Sequence, residues 1–185
     1  MKNFQPSERE LLYSQIEHEY GSVVYSHTAQ EEQRTQLAKH EQHIKIAQIA
    51  LSAASAAGLV GLFFTESAWM NVITALFSFI LLFLNSYSFQ LEIGTKVSRH
   101  RKAGDQLWLL VRKYQSLLVD FGNLDISEIR ERRDALITET AKVYQSIDRT
   151  DDKSFEKARQ RLKKDGLKEF TREELNKILP EALKK

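Results

Sequence analysis

Apolar residues are distributed along this chain in two different ways. From Ile46 to Phe64 and again from Met70 to Phe89 they run almost unbroken, and Glu66, in the short connection, is the only charged residue from Ile46 to Phe89. Elsewhere they recur at helical spacing among charged residues. Leu11, Leu12, Ile16, Tyr20, Val23 and Val24 form one such face near the start. Leu91, Val97, Leu107, Leu110, Val111, Tyr114, Leu117, Leu118 and Phe121 form another after the second run, with Trp108 beside it. Ile129, Leu136, Val143, Tyr144 and Ile147 form a third.

At about 1.5 Å per residue, each apolar run spans roughly 30 Å, the thickness of a bilayer's hydrocarbon core. The connection from Thr65 to Trp69 is so short that the two helices must be antiparallel neighbours. A core hairpin of a soluble bundle would still turn a charged stripe to water, and neither run has one. The fold class expected is therefore all-α: a two-helix transmembrane hairpin and a cytoplasmic helical bundle built on long helix extensions. The domains expected are an N-terminal cytoplasmic arm (1–45), the hairpin (46–89, spans 46–64 and 70–89, loop 65–69), the bundle (90–150), and short helices with a C-terminal tail (151–185).

Local signals refine the helices. Ser7-x-x-Glu10 and Asp125-x-x-Glu128 read as capping boxes, in which side chains satisfy the free amides of a helix start. The first arm should run straight into the first span. The second span should continue as one helix from Ala68 to Phe121, bent but not ended by Gly94 and Gly104 and stopped at Gly122. A helix from Ser127 to Ile147 follows, then a polar break from Asp148 to Lys153. Short helices are expected at Ser154–Lys164 and Glu173–Leu179, the latter capped by Thr171 and ended by Pro180. The simplest packing lays the N-terminal arm and the Ser127–Ile147 helix against the long helix; the same faces could pair between subunits.

Charge sets the orientation. The chain carries 27 Lys+Arg and 25 Asp+Glu, a net charge of only +2 that names no partner. Their placement is asymmetric: Arg34, Lys39 and Lys45 precede the first span, Lys96, Arg99, Arg101 and Lys102 follow the second, and the loop has none. Lysine and arginine stay on the cytoplasmic side of a membrane. An inner-membrane, multi-pass protein with both termini cytoplasmic is expected, with Trp69 in the outer interfacial belt and Tyr87 near the inner one. No apolar segment near the start suggests a cleaved leader, and with no cysteine there can be no disulfide or thiolate chemistry.

The spans differ in composition. The first has small residues at four-residue spacing, Ala50, Ala54 and Gly58 on one stripe and Ala53, Ala57 and Gly61 on the next, which lets helices pack closely in lipid. The second has a polar stripe, Asn71, Thr74, Ser78, Asn85 and Ser88. Those side chains either hydrogen-bond across a packed helix interface or line a water path between several hairpins, and a pore would need the interface as well.

Chemistry of other kinds finds little support. His40-Glu41-Gln42-His43 lacks the four-residue histidine spacing of the HExxH zinc motif and has no evident third ligand. Arg99-His100-Arg101-Lys102 suits lipid phosphates and topology, and it lacks the aromatic interleaving of a nucleic-acid site. Arg130, Arg132, Arg133 and Asp134, with Asp151 and Asp152, read as solvated surface. No metal, cofactor, catalytic residue or specific nucleic-acid partner is expected, and the chain reads as non-enzymatic.

The layout as a whole resembles the SLATT family, two-helix membrane effectors associated with nucleotide-second-messenger synthases and SLOG domains, with the fifth subfamily nearest. The supporting residues are the small-residue span around Ala50 to Gly61, the span to Phe89, the segment Trp108 to Phe121, and Arg132-Arg133-Asp134 followed by Val143-Tyr144. The resemblance implies a pore-forming effector of a prokaryotic conflict or antiviral system. It would form a homo-oligomer in the lipid bilayer, triggered by a separate sensor or nucleotide-signalling protein. A non-conducting scaffold that recruits a cytoplasmic partner is the rival reading, and a soluble protein with a buried hairpin the weaker one.

Overall fold

The computed structural model describes residues 7–61 and 68–166. Among these it contains five α-helices: α1 (Glu8–Gly61), α2 (Ala68–Leu91), α3 (Ile93–Asp120), α4 (Ile126–Ser146) and α5 (Asp152–Asp165), with one 3-10 turn at Phe121–Asn123. The loop carrying Glu66 and the expected helix at Glu173–Leu179 lie outside the described residues.

α1 is a single helix of 54 residues, about 80 Å long at 1.5 Å per residue. Its start is the expected reciprocal box: the Ser7 amide donates to Glu10 Oε2 (2.7 Å) and the Glu10 amide to Ser7 Oγ (3.3 Å). The Ser7 amide and the Ser7 hydroxyl, both donating to Oε2, hold the Glu10 carboxyl below its ordinary range. The amides of α4 and α5 are capped by Asp125, which accepts from the Glu128 amide (3.0 Å), and by Asp151, which accepts from the Ser154 amide (2.7 Å). Glu128 does not complete its box; its carboxylate pairs with Arg132 instead (2.6 Å). The glycine stop expected at Gly122 is not the one used. α3 tightens into the 3-10 turn, and the Arg9 guanidinium donates to the carbonyls of Phe121 and Leu124 while lying over the Phe121 ring.

The expected unbroken helix from Ala68 to Phe121 is interrupted. α2 and α3 are separate helices because Glu92 adopts φ 47°, ψ 39°, the left-handed region. Neither Gly94 nor Gly104 breaks the helix.

The core lies where α1, α3 and α4 meet. Ile16, Val23, Leu107, Leu110, Val111, Tyr114 and Ile129 are almost fully buried there. Gly104 permits a close approach: the His27 ring bonds to its carbonyl (3.0 Å), and an added Cβ would meet Glu31 Oε1 at 2.7 Å.

α4, its linker and α5 run parallel to α1 in a constant register. Gln15 accepts from Arg133, Ser26 bonds to Tyr144, Gln30 donates to the Asp148 carbonyl, Gln33 accepts from the Asp151 amide and Gln36 donates to Ser154 Oγ. The bonds of Gln30 and Gln33 satisfy backbone groups of a linker with no ladder of its own.

A membrane hairpin with a divided polar face

The two apolar stretches of α1 and α2 lie together and leave the bundle behind. Each is long and apolar enough to cross a membrane, with mean hydropathy of 1.5 and 1.9, and only 11% and 6% of these stretches is buried within the chain. That near-total exposure separates this hairpin from a soluble core. Its outer surface is large and apolar, with Leu59, Trp69, Phe79, Leu82, Phe83 and Phe89 all more than half exposed. In water such a surface would drive association; in lipid it is matched to its surroundings.

The inward row of α1 is Ile44, Ala47, Gln48, Leu51, Ala54, Ser55, Gly58 and Gly61, all buried or half-buried. That of α2 is Thr74, Phe77, Leu81, Leu84, Ser88 and Leu91. Both repeat every seven residues, the period of left-handed helix pairs. At Gly58 the two helices approach closely. A Cβ there would overlap the Thr74 hydroxyl and lie 3.1 Å from its Cβ. At Gly61 it would meet Met70 Cε at 3.0 Å.

The small residues of α1 therefore divide. Ala54, Gly58 and Gly61 face α2, whereas Ala50, Ala53 and Ala57 point outward. With Ser52 and Ala56 they make a smooth outer face. The polar stripe of α2 divides too. Thr74 is buried at 6% exposure against Gly58 and Ser88 is half-buried, whereas Asn71, Ser78 and Asn85, spaced by seven, are exposed on the flank. Ser78 Oγ donates back to the Thr74 carbonyl (3.0 Å), and the amides of Asn71 and Asn85 have no side-chain hydrogen bond among the described residues.

Two polar residues of the first span escaped the sequence pattern. Gln48 reaches the Leu84 carbonyl at 3.5 Å. Ser55 is buried, and its hydroxyl has no partner among the described residues. They lie seven residues apart, a helical spacing that puts both on one face and could have flagged them.

The basic residues Lys45, Lys96, Arg99, Arg101 and Lys102 are all exposed at the bundle end of the hairpin. Lys45 pairs with Glu41 (2.6 Å), and Arg99 approaches Asp148 (3.8 Å). Just beyond them His100 is buried, its Nδ1 2.6 Å from Gln30 Oε1. Burial pushes its pKa below 6.5, and the nearby Asp148 and Asp151 carboxylates pull partly back. His40 and His43 are exposed, and no group of three potential metal ligands occurs among the described residues. Farther out, a cleft of about 400 Å³ opens between α1, α3 and α5, lined by His27, Glu31, Asp105, Trp108 and Arg161.

The sequence matches the family described as SMODS and SLOG-associating 2TM effector domain family 4 over residues 12–174. The subfamily is the fourth rather than the expected fifth. No curated protein and no solved structure matches the chain.

Proposed function

Because the chain belongs to the SMODS and SLOG-associating 2TM effector domain family, we propose that it is a defence-associated effector of the inner membrane whose hairpins assemble and permeabilise the bilayer when a separate sensor triggers it. Asn71, Ser78 and Asn85 carry this reading, because they form a polar row that its own hairpin leaves uncovered. An amide without a hydrogen-bond partner in hydrocarbon costs several kcal/mol, on the order of the water-to-alkane transfer of that group. The row therefore needs a second hairpin, or water held between hairpins. The outward face of Ser52, Ala53, Ala56 and Ala57 lets another helix approach closely. Lys45, Lys96, Arg99, Arg101 and Lys102 hold both arms in the cytoplasm, where the bundle meets its trigger. Thr74 and Ser88 belong to the contact within one hairpin rather than to the conduit.

Overexpression in bacterial cells, which drives the hairpins together by mass action without the trigger, tests the reading with a membrane-potential dye. Depolarisation is expected with the natural chain, and its loss when Asn71, Ser78 and Asn85 are together replaced by leucine at equal inserted levels. Undiminished depolarisation in that variant would remove the row from the conduit. A non-conducting scaffold is favoured by the cleft beside Trp108, a recess that offers a partner surface on the bundle. It predicts no depolarisation even with the partner system active.

A further inference from the structure

The helices α2 and α3 carry two seven-residue registers that no straight helix can present to α1 together. The inward positions of α2 are Thr74, Leu81 and Ser88, with Phe77, Leu84 and Leu91. Those of α3 are Ile93, His100, Leu107 and Tyr114, with Ala103, Leu110 and Leu117. Continued past Leu91, the first register arrives at Thr95, Lys102 and Leu109, with Ser98, Asp105 and Arg112, all of which are exposed. The registers differ by two positions, which at about 100° per residue is roughly half a turn.

Glu92 absorbs the difference. It is the only non-glycine residue with positive φ among the described residues. Its amide turns back to the Phe89 carbonyl (3.4 Å) and its carbonyl accepts from the Lys96 amide (3.0 Å), so helix resumes at once in the new phase. A side chain disfavours this conformation by about fivefold to thirtyfold in population. The sequence around it, Gln90-Leu91-Glu92-Ile93, contains no proline or glycine that would forbid a continuous helix. A crevice of about 380 Å³ lies beside the break, lined by Glu41, Ser88, Phe89, Glu92 and Gly94, and gives the backbone room to change.

We infer that Glu92 is a rotational hinge with two settings of the second span against the bundle. In the bent setting, the one observed, Thr74, Leu81 and Ser88 face α1. In the straight setting residue 92 is helical and the register of α3 extends into the span. Val72, Ala75, Phe79 and Leu82 then turn inward, and the Asn71–Ser78–Asn85 row passes from one flank of α1 to the other. Rotation would thus decide which neighbouring surface the row meets. This rests on the assembling-hairpin reading and names how that assembly is regulated.

Cysteine crosslinking in native membranes tests the hinge, and the chain has no cysteine of its own. Leu51→Cys with Leu81→Cys, in the same register as Gly58 with Thr74 and Gln48 with Leu84, reads the bent setting, and Leu51→Cys with Leu82→Cys the straight one. Each pair is combined with natural Glu92, Glu92→Gly, which tolerates positive φ, or Glu92→Val, which resists it. The ratio of 51–81 to 51–82 disulfide should be at least about fivefold higher with Glu92→Gly than with Glu92→Val. A ratio unchanged across the three backgrounds would overturn the hinge. Dye leakage reads permeabilisation separately. Crosslinks that shift without leakage would leave the hinge and remove the pore; leakage with invariant crosslinks would do the reverse.

Discussion

His100 is held 5% exposed, with its ring nitrogen on Gln30 and the Gln30 amide on the Asp148 carbonyl. Because Gln30 Oε1 can only accept, the imidazole Nδ1 donates. Burial keeps the folded pKa below 6.5 despite Asp148 and Asp151. The folded ring therefore binds a proton less readily than the unfolded one. This stabilising contribution is complete above pH 6.5 and is lost as pH falls through the folded pKa. Melting in lipid nanodiscs should show a lower Tm below pH 6.5 than above it, with a shallower dependence in His100→Gln; equal slopes would remove the histidine from the effect. Gly58 makes the second prediction at this scale. Gly58→Val forces a side chain into Thr74, an overpacking cost of roughly 1–3 kcal/mol, read as a loss of hairpin crosslinking while bundle melting is unchanged. The glycine was visible in the sequence, but its partner was not. The division of Thr74 and Ser88 from Asn71, Ser78 and Asn85 depends on where α1 lies, which one helix's pattern does not contain.

At the scale of elements, unbroken apolar runs located the hairpin, and apolar residues at helical spacing located the bundle helices, because each of those buries a face. The caps at Ser7 and Asp125 were equally legible, being local. Asp151 was not: inside a run of charged residues its capping role looks like ordinary solvation, so α5 starts earlier than its apolar residues suggest. The row of Gln30, Gln33 and Gln36 was hidden for the same reason, since polar residues on a helix read as a wet face until a linker is laid on them. The break at Glu92 was obscured because apolar residues continue on both sides and the nearby glycines drew the expectation of bending. Leu107 tests the bundle. It is fully buried between α1 and α3, so Leu107→Ala should cost about 2–5 kcal/mol. Urea titration of the membrane-embedded chain, followed by Trp108 fluorescence, measures it. A cost well below that range would mean that the bundle repacks around the gap.

At the scale of the whole molecule, one long helix joins a charged bundle to an apolar hairpin, and the exposure of that hairpin makes the membrane part of the fold. Membership of the two-transmembrane effector family agrees with this architecture. The proposed function requires the hairpin to cross the bilayer with both arms on the cytoplasmic face. Single cysteines placed at Ser7, Thr65 and Asp165 of the cysteine-free chain test it most directly, by labelling with a membrane-impermeant maleimide from outside the inner membrane, before and after the membrane is opened. Labelling of Thr65→Cys is expected in intact preparations, and of Ser7→Cys and Asp165→Cys only after opening. Thr65→Cys protected until opening, or a chain recovered in the soluble fraction, would contradict it.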